Sequence, residues 1–210
     1  MTVATQIRPN QRKKIGRFST WLARTLTRMA GWRFAGEPPA LPKYVLVGAP
    51  HTSNWDFLAL LALDFAFKLQ CVWMGKESIF RGPLAPLFRR LGGIPIDRSS
   101  RNNAVEQAAQ AFDRSERMVM AISPEGTRKK TARWKTGFYY IALAAGVPIS
   151  LAFVDFRHKM AGFGPLLQPS GDIRADMALI RDFYLNITGR HPQNVGAVTV
   201  TAEAGGSLKH

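Results

Sequence analysis

From Ile15 the apolar residues recur every three or four positions: Ile15, Phe18, Trp21, Leu22, Leu26, Met29 and Trp32. At about 100° per residue they fall on one broad face of a helix. Arg17, Arg24 and Arg28 line the edge of that face, and Ser19, Thr20, Ala23 and Thr27 lie opposite. Gly36-Glu37-Pro38-Pro39-Ala40-Leu41-Pro42 then stops the helix and holds the chain extended. Beyond it, short apolar runs alternate with longer helical patterns. The runs predict strands over 44–49, 71–75, 94–97, 118–122, 147–154 and 195–202. The longer patterns predict helices over 54–69, 78–91, 101–115, 134–145 and 174–187, the second weakened by Pro83 and Pro86. Such alternation implies an α/β fold: one domain over 37–210, with a mixed, partly parallel sheet flanked by helices. A basic amphipathic segment over 1–36 precedes it.

Charge changes this picture most at the N-terminus. Residues 1–36 hold eight basic side chains and no acidic one. An apolar face flanked by arginines and two tryptophans suits a helix lying on an anionic bilayer; it equally suits a first helix packed on the domain with solvated arginines. Across the chain, 29 Lys and Arg face 14 Asp and Glu, a formal charge of +15. That excess points to an anionic partner: a phosphate-bearing substrate, an acidic carrier protein, an anionic lipid or nucleic acid. Cys71 is the one cysteine, so an intramolecular disulfide is excluded. No run reaches the ~20 apolar residues of a membrane span; the longest, Phe57 to Phe67, is interrupted by Asp64. No signal peptide is expected.

Candidate chemistry starts at "PHTSNWD", Pro50 to Asp56, at the junction of the first long strand and its helix. Within a regular helix, His51 and Asp56 would diverge by about 140°. They can meet if His51 lies in the turn before the helix, which Pro50 and a Ser53 N-cap favour. Asp56 then stands third in the helix, where a carboxylate also suits the cap and the dipole. Alone, the stretch reads as a capped helix start beside a polar loop histidine. Read as chemistry, an imidazole oriented by a carboxylate is a general base. The chain has no G-x-S-x-G elbow, so a direct transfer is simpler than an acyl-enzyme.

Two further stretches bear arginine at a strand end or the turn after it: "GGIPIDR", ending at Arg98, and "SPEGTRKK", from Ser123 to Lys130. Gly126 permits a tight turn, and Thr127, Arg128 and backbone N–H groups could hold phosphate oxygens. Each stretch singly also reads as a charged surface turn. Together, in this order, they resemble the glycerolipid acyltransferase family, typified by bacterial lysophosphatidate acyltransferases. His51-x4-Asp56 matches its H-x4-D motif and Pro124-Glu125-Gly126-Thr127-Arg128 its P-E-G-T-R motif. Gly93 to Arg98 resembles its second motif, and Gly146-Val147-Pro148-Ile149 its fourth. The chain departs from the family in Pro50 where Asn is frequent, Ser123 where an aromatic is frequent, and Ser150 near a usual proline.

The resemblance implies an O-acyltransferase that moves a fatty acyl group from acyl-coenzyme A or acyl carrier protein to a lysophospholipid hydroxyl. The expected acceptor is 1-acylglycerol-3-phosphate. His51 is then the general base and Asp56 its orienting carboxylate. Arg98 and Arg128, with Gly126 and Thr127, bind acceptor phosphate; Glu125 positions the acceptor or braces the arginine turn. N–H groups opening the helix after His51 are the expected oxyanion donors. His51 and Arg128 are expected to face one cleft. No metal or cofactor is implied, and the expected location is the inner, cytoplasmic face of the membrane, held peripherally. Two rivals stay open: the same chemistry on another acceptor, and a basic non-enzymatic module for membrane or nucleic acid. Against nucleic acid, no helix-turn-helix, zinc-finger or RNA-binding signature is present.

Overall fold

A computed structural model of the chain describes residues 15–96 and 101–198. One sheet is built from β1 (Arg33–Ala35), β2 (Lys43–Ala49), β3 (Val72–Lys76), β4 (Gly93–Ile96), β5 (Met118–Ile122), β6 (Ile149–Asp155) and β7 (Met160–Leu167). The strands lie in the order β1-β7-β6-β2-β5-β3-β4. β6 and β7 pair antiparallel, and the remaining pairs are parallel. The helices are α1 (Arg17–Met29), α2 (Trp55–Phe67), α3 (Ala85–Arg90), α4 (Arg101–Asp113), α5 (Gly137–Ala144) and α6 (Ile173–Tyr184).

Central strands are apolar on both sides because both faces are covered. Tyr44 and Leu46 of β2, with Val119 and Ala121 of β5, pack under Leu63 of α2. Val45 and Val47, with Met118 and Met120, pack against Phe112 of α4, Phe138 of α5 and Ile180 of α6. The chain leaves β2 through α2 toward β3, and leaves β5 through α5 in the opposite direction toward β6. Because α2 and α5 cover opposite faces of the sheet, the connections from these neighbouring parallel strands part to either side and open a crevice at their carboxyl ends. The His51 turn follows β2 and the Ser123–Lys130 stretch follows β5, so both arrive at that crevice.

Several expected elements are corrected. The helix over 78–91 is broken: a 3-10 turn, Glu77–Phe80, is separated from α3 by Gly82-Pro83. Pro86 is tolerated inside α3 because it sits in the first turn, where no helical N–H is required. Strands β1 and β7 were not anticipated. β1 is only three residues long, and Gly162 and Gly164 dilute the apolar pattern of β7. Gly162 is required by packing, since a Cβ there would collide with the Ala35 carbonyl of β1. β1 carries the end of the 1–36 segment into the sheet. Of the strand expected over 195–202, Val195 to Val198 form none; Gly196 lies instead against the Thr131 backbone. Residues 199–202 lie outside the described region.

The orientation of α1 inverts the usual amphipathic arrangement. It packs along α2 through its small polar side, where Ser19, Thr20, Ala23 and Thr27 are half-buried. Phe18 is 70% exposed, Trp21 58% and Met29 78%. Arg24 faces inward: its Nε–H donates to the Ala66 carbonyl at 3.0 Å, and its guanidinium lies 5.0 Å from the Phe67 ring centroid. No described helix is long and apolar enough to cross a membrane.

Candidate active site

β2 ends at Ala49, and α2 opens at Trp55. The intervening turn places His51 Nδ1 3.2 Å from Asp56 Oδ2. Shorter bonds to Oδ2 come from the backbone: the Thr52 N–H donates at 2.7 Å and the Ser53 N–H at 2.8 Å. The Ser53 hydroxyl donates to Oδ1 at 3.3 Å and accepts the Trp55 N–H at 3.1 Å. The helix therefore starts one residue later than a Ser53 cap implies. Asn54 is the boundary residue, with helical dihedrals (φ −68°, ψ −20°), and Asp56 stands second rather than third. The buried carboxylate reaches back over the turn and organises it, leaving His51 outside the helix with Nδ1 toward Asp56. The ring's other nitrogen, Nε2, is then the one available to a substrate. Among the donors expected for an oxyanion, the Thr52, Ser53 and Trp55 N–H groups are consumed within the turn. The Asn54 N–H has no acceptor among the described residues.

Because β5 lies beside β2, Glu125 reaches the same turn. It is buried, and the His51 backbone N–H donates to both its carboxylate oxygens at 3.0 Å. The Ser123 hydroxyl donates to Oε2 at 3.1 Å. Glu125 thus grips the main chain of the residue whose ring faces Asp56. Gly126 has φ +63°, a left-handed turn that a side chain would strain, and its N–H closes the turn on the Ser123 carbonyl at 3.2 Å. Thr127 is exposed and its hydroxyl accepts the Lys129 N–H at 3.3 Å. Arg128 donates through Nη1 to Asn54 Oδ1, joining the arginine turn to the opening of α2.

A cleft of about 610 Å³ runs between these segments, walled by Thr52–Trp55, Arg128, Lys129, Arg190, His191 and Asn194. Arg128 lines it as expected. His51 does not: the wall begins at the next residue, Thr52, and Asn54 draws Arg128 toward the helix opening. Arg98 lies outside the described residues. Asn54, Arg190 and His191 were not singled out in the sequence, and Ser123 was noted only as a departure from the family pattern. Asn54 was legible only as part of the H-x4-D interval. Arg190 and His191 offered no signal beyond their charge.

Residues 37–150, more than half of the chain, match the family model described as Acyltransferase. The chain belongs to the acyltransferase family. This acyltransferase is 26% identical over 169 residues to the 1-acyl-sn-glycerol-3-phosphate acyltransferase of Haemophilus influenzae, covering 75% of this chain and 68% of that one. It is 31% identical over 107 residues to the enzyme of the same name from Escherichia coli, covering 48% of this chain and 42% of that one. Its fold resembles the crystal structure of the 1-acyl-sn-glycerophosphate (LPA) acyltransferase PlsC from Thermotoga maritima. That match has a TM-score of 0.56 at 16% identity and covers 78% of this chain and 73% of the other.

In this acyltransferase Glu125 carries an unusual electrostatic load. Burial pushes its pKa above the ordinary 4.5, against the downward pull of the His51 N–H and the Ser123 hydroxyl. An acid with a raised folded-state pKa contributes stability that is fully present below its unfolded value and is lost as pH rises through the folded one. Wild type should therefore lose ground to Glu125→Gln, which does not titrate, as pH rises from the ordinary glutamate value of about 4 through the raised folded-state value. Paired thermal melts across that range check this. A wild-type advantage that grows with pH would contradict the sign.

Proposed function

We propose that the protein is an O-acyltransferase carrying a fatty acyl group from acyl-coenzyme A or acyl carrier protein to the hydroxyl of a lysophospholipid, with 1-acylglycerol-3-phosphate as the acceptor. The observation that carries this reading is the His51–Asp56 contact next to a cleft bearing Arg128 and Lys129. His51 Nε2 removes the acceptor hydroxyl proton as its oxygen attacks the thioester carbonyl. Asp56 stabilises the imidazolium that forms. The tetrahedral intermediate expels the thiolate, breaking the C–S bond, and the imidazolium returns the proton to sulfur. The Asn54 N–H, unclaimed within the turn, is the backbone donor closest in sequence to this step. Arg128 neutralises acceptor phosphate in the adjoining cleft. Both the donors and the acceptor are acidic, which the +15 charge favours. The test is phosphatidate formation by purified protein given acyl-coenzyme A or acyl carrier protein with lysophosphatidate, beside a panel of other lysolipids. Acylation of none of them sinks the reading; acylation of a different acceptor alone moves it to the rival substrate.

A bilayer-resident acceptor also requires the enzyme to reach the interface, and we assign that role to α1 at the inner face of the membrane. Its support is the exposed stripe Phe18, Trp21, Leu22, Leu26 and Met29, bordered by Arg17 and Arg28. Trp21→Glu should lower partitioning onto anionic vesicles about tenfold or more, because a charge replaces an interfacial aromatic. Trp21 contributes nothing to the buried core, so the melting temperature should hold. Vesicle co-sedimentation measures this, and unchanged partitioning removes α1 as the anchor.

A further inference from the structure

The segment Thr188–His191 follows α6 and lies beyond the family match at 37–150. It is nevertheless fixed at three points, one on the chain just after β6 and two on the His51 turn. The Phe156 N–H donates to the Thr188 carbonyl at 2.9 Å. Gly189 lies so close to the turn that a Cβ would come within 2.9 Å of Thr52 Oγ1 and Cγ2 and 3.1 Å of Pro50 Cγ. The His191 N–H donates to Thr52 Oγ1 at 3.2 Å. With its backbone held in this way, the Arg190 guanidinium lies 5.3 Å from the Trp55 ring centroid and 5.7 Å from that of Phe156.

Two aromatic contacts restrain the guanidinium while leaving its N–H edge available for a planar, bidentate ligand. Among the described residues no carboxylate pairs with Arg190. The cleft it lines also holds Arg128 and Lys129, and among the described residues no acidic side chain is in its walls. Three cations converging on one cleft without a counter-charge favour an oxyanion there.

We propose that Arg190, held against Trp55 and Phe156, binds a substrate phosphate ester together with Arg128. The proposal rests on the acyl-transfer reading for its substrates and adds a phosphate ligand from the C-terminal segment. That phosphate belongs either to the acceptor or to the donor's pantetheine-bearing group. Steady-state kinetics of Arg190→Ala distinguish the two. Acyl-coenzyme A is compared with an S-acyl-N-acetylcysteamine thioester, and lysophosphatidate with 1-acylglycerol, each pair differing in phosphate. The expected result is a KM raised about tenfold or more for one phosphate-bearing substrate, with a smaller change in kcat and none for its phosphate-free counterpart. Arg190→Lys should recover only part of the loss, because an ammonium neither stacks nor chelates as the planar fork does. Gly189→Ala, which forces the segment off Thr52, should raise the same KM. Independently of turnover, inorganic phosphate should raise the melting temperature of wild type more than that of Arg190→Ala. Equal phosphate-induced shifts, unchanged KM values, or an equal rise for phosphate-free substrates would overturn the proposal. Absence of wild-type turnover with every acceptor would defeat the acyl-transfer reading alone, and the phosphate shift would still decide the site.

Discussion

His51→Ala is expected to lower kcat by roughly a hundred- to ten-thousand-fold, the range over which a positioned general base contributes, and to leave the fold standing. The two effects separate because the local scaffold uses the main chain of His51 rather than its ring. Glu125 grips the His51 N–H, and alanine keeps that donor. Asp56 Oδ2 retains its two shorter bonds, from Thr52 and Ser53, when the imidazole leaves. What is lost is one partly exposed contact at 3.2 Å, worth about 1 kcal/mol or less. Initial rates at saturating donor and acceptor, paired with thermal melts, check both halves. A folded His51→Ala protein that keeps more than about a tenth of wild-type kcat is incompatible with a general-base role.

The parts of this site that were legible in the sequence depend on short, local rules. A proline and a cap-forming serine ahead of an apolar run place His51 outside the helix; a glycine after an apolar strand marks the arginine turn. What the residues alone could not show is that the two turns meet. That follows from β5 pairing beside β2, a long-range choice set by packing across the sheet. It also fixes Glu125, whose carboxylate goes to the His51 main chain instead of an arginine. The missed strands have a related cause. β1 and β7 hold together through close backbone approach at Gly162, and glycine erases the hydrophobic alternation by which strands are recognised. On α1 the helical period was readable but its facing was not. Periodicity says which residues share a side and is silent about which side meets the protein. Here the inward side is fixed by Arg24, bonded to Ala66 and stacked on Phe67. Arg190 is the far case: it reaches the cleft because Gly189 lets its segment lie on Thr52, a contact across most of the chain.

Asp56→Asn is the second large effect, and it should fall on stability and rate together. The substitution keeps the shape of the side chain. An amide oxygen in place of Oδ2 still accepts the Thr52 and Ser53 N–H groups, but without the charge that shortens those bonds to 2.7 and 2.8 Å. Loss of charge assistance in a buried turn costs about 1–3 kcal/mol. Asp56→Ala should cost more, roughly 2–5 kcal/mol, because both N–H donors are then left buried without an acceptor. Urea unfolding at fixed pH measures both variants. The rate effect has a different origin. Without the carboxylate, the imidazolium formed during transfer has no counter-charge, and kcat should fall roughly a hundred- to ten-thousand-fold. Combining the variants separates the two roles. If Asp56 acts on rate only through His51, then His51→Ala with Asp56→Asn turns over no more slowly than His51→Ala alone. The stability loss from Asp56→Asn should persist undiminished in that background, since the backbone bonds do not pass through the ring. Rate losses that multiply would place Asp56 on the substrate directly, while a stability loss that vanishes without the imidazole would make the His51 contact, and not the backbone clasp, the interaction that holds the turn.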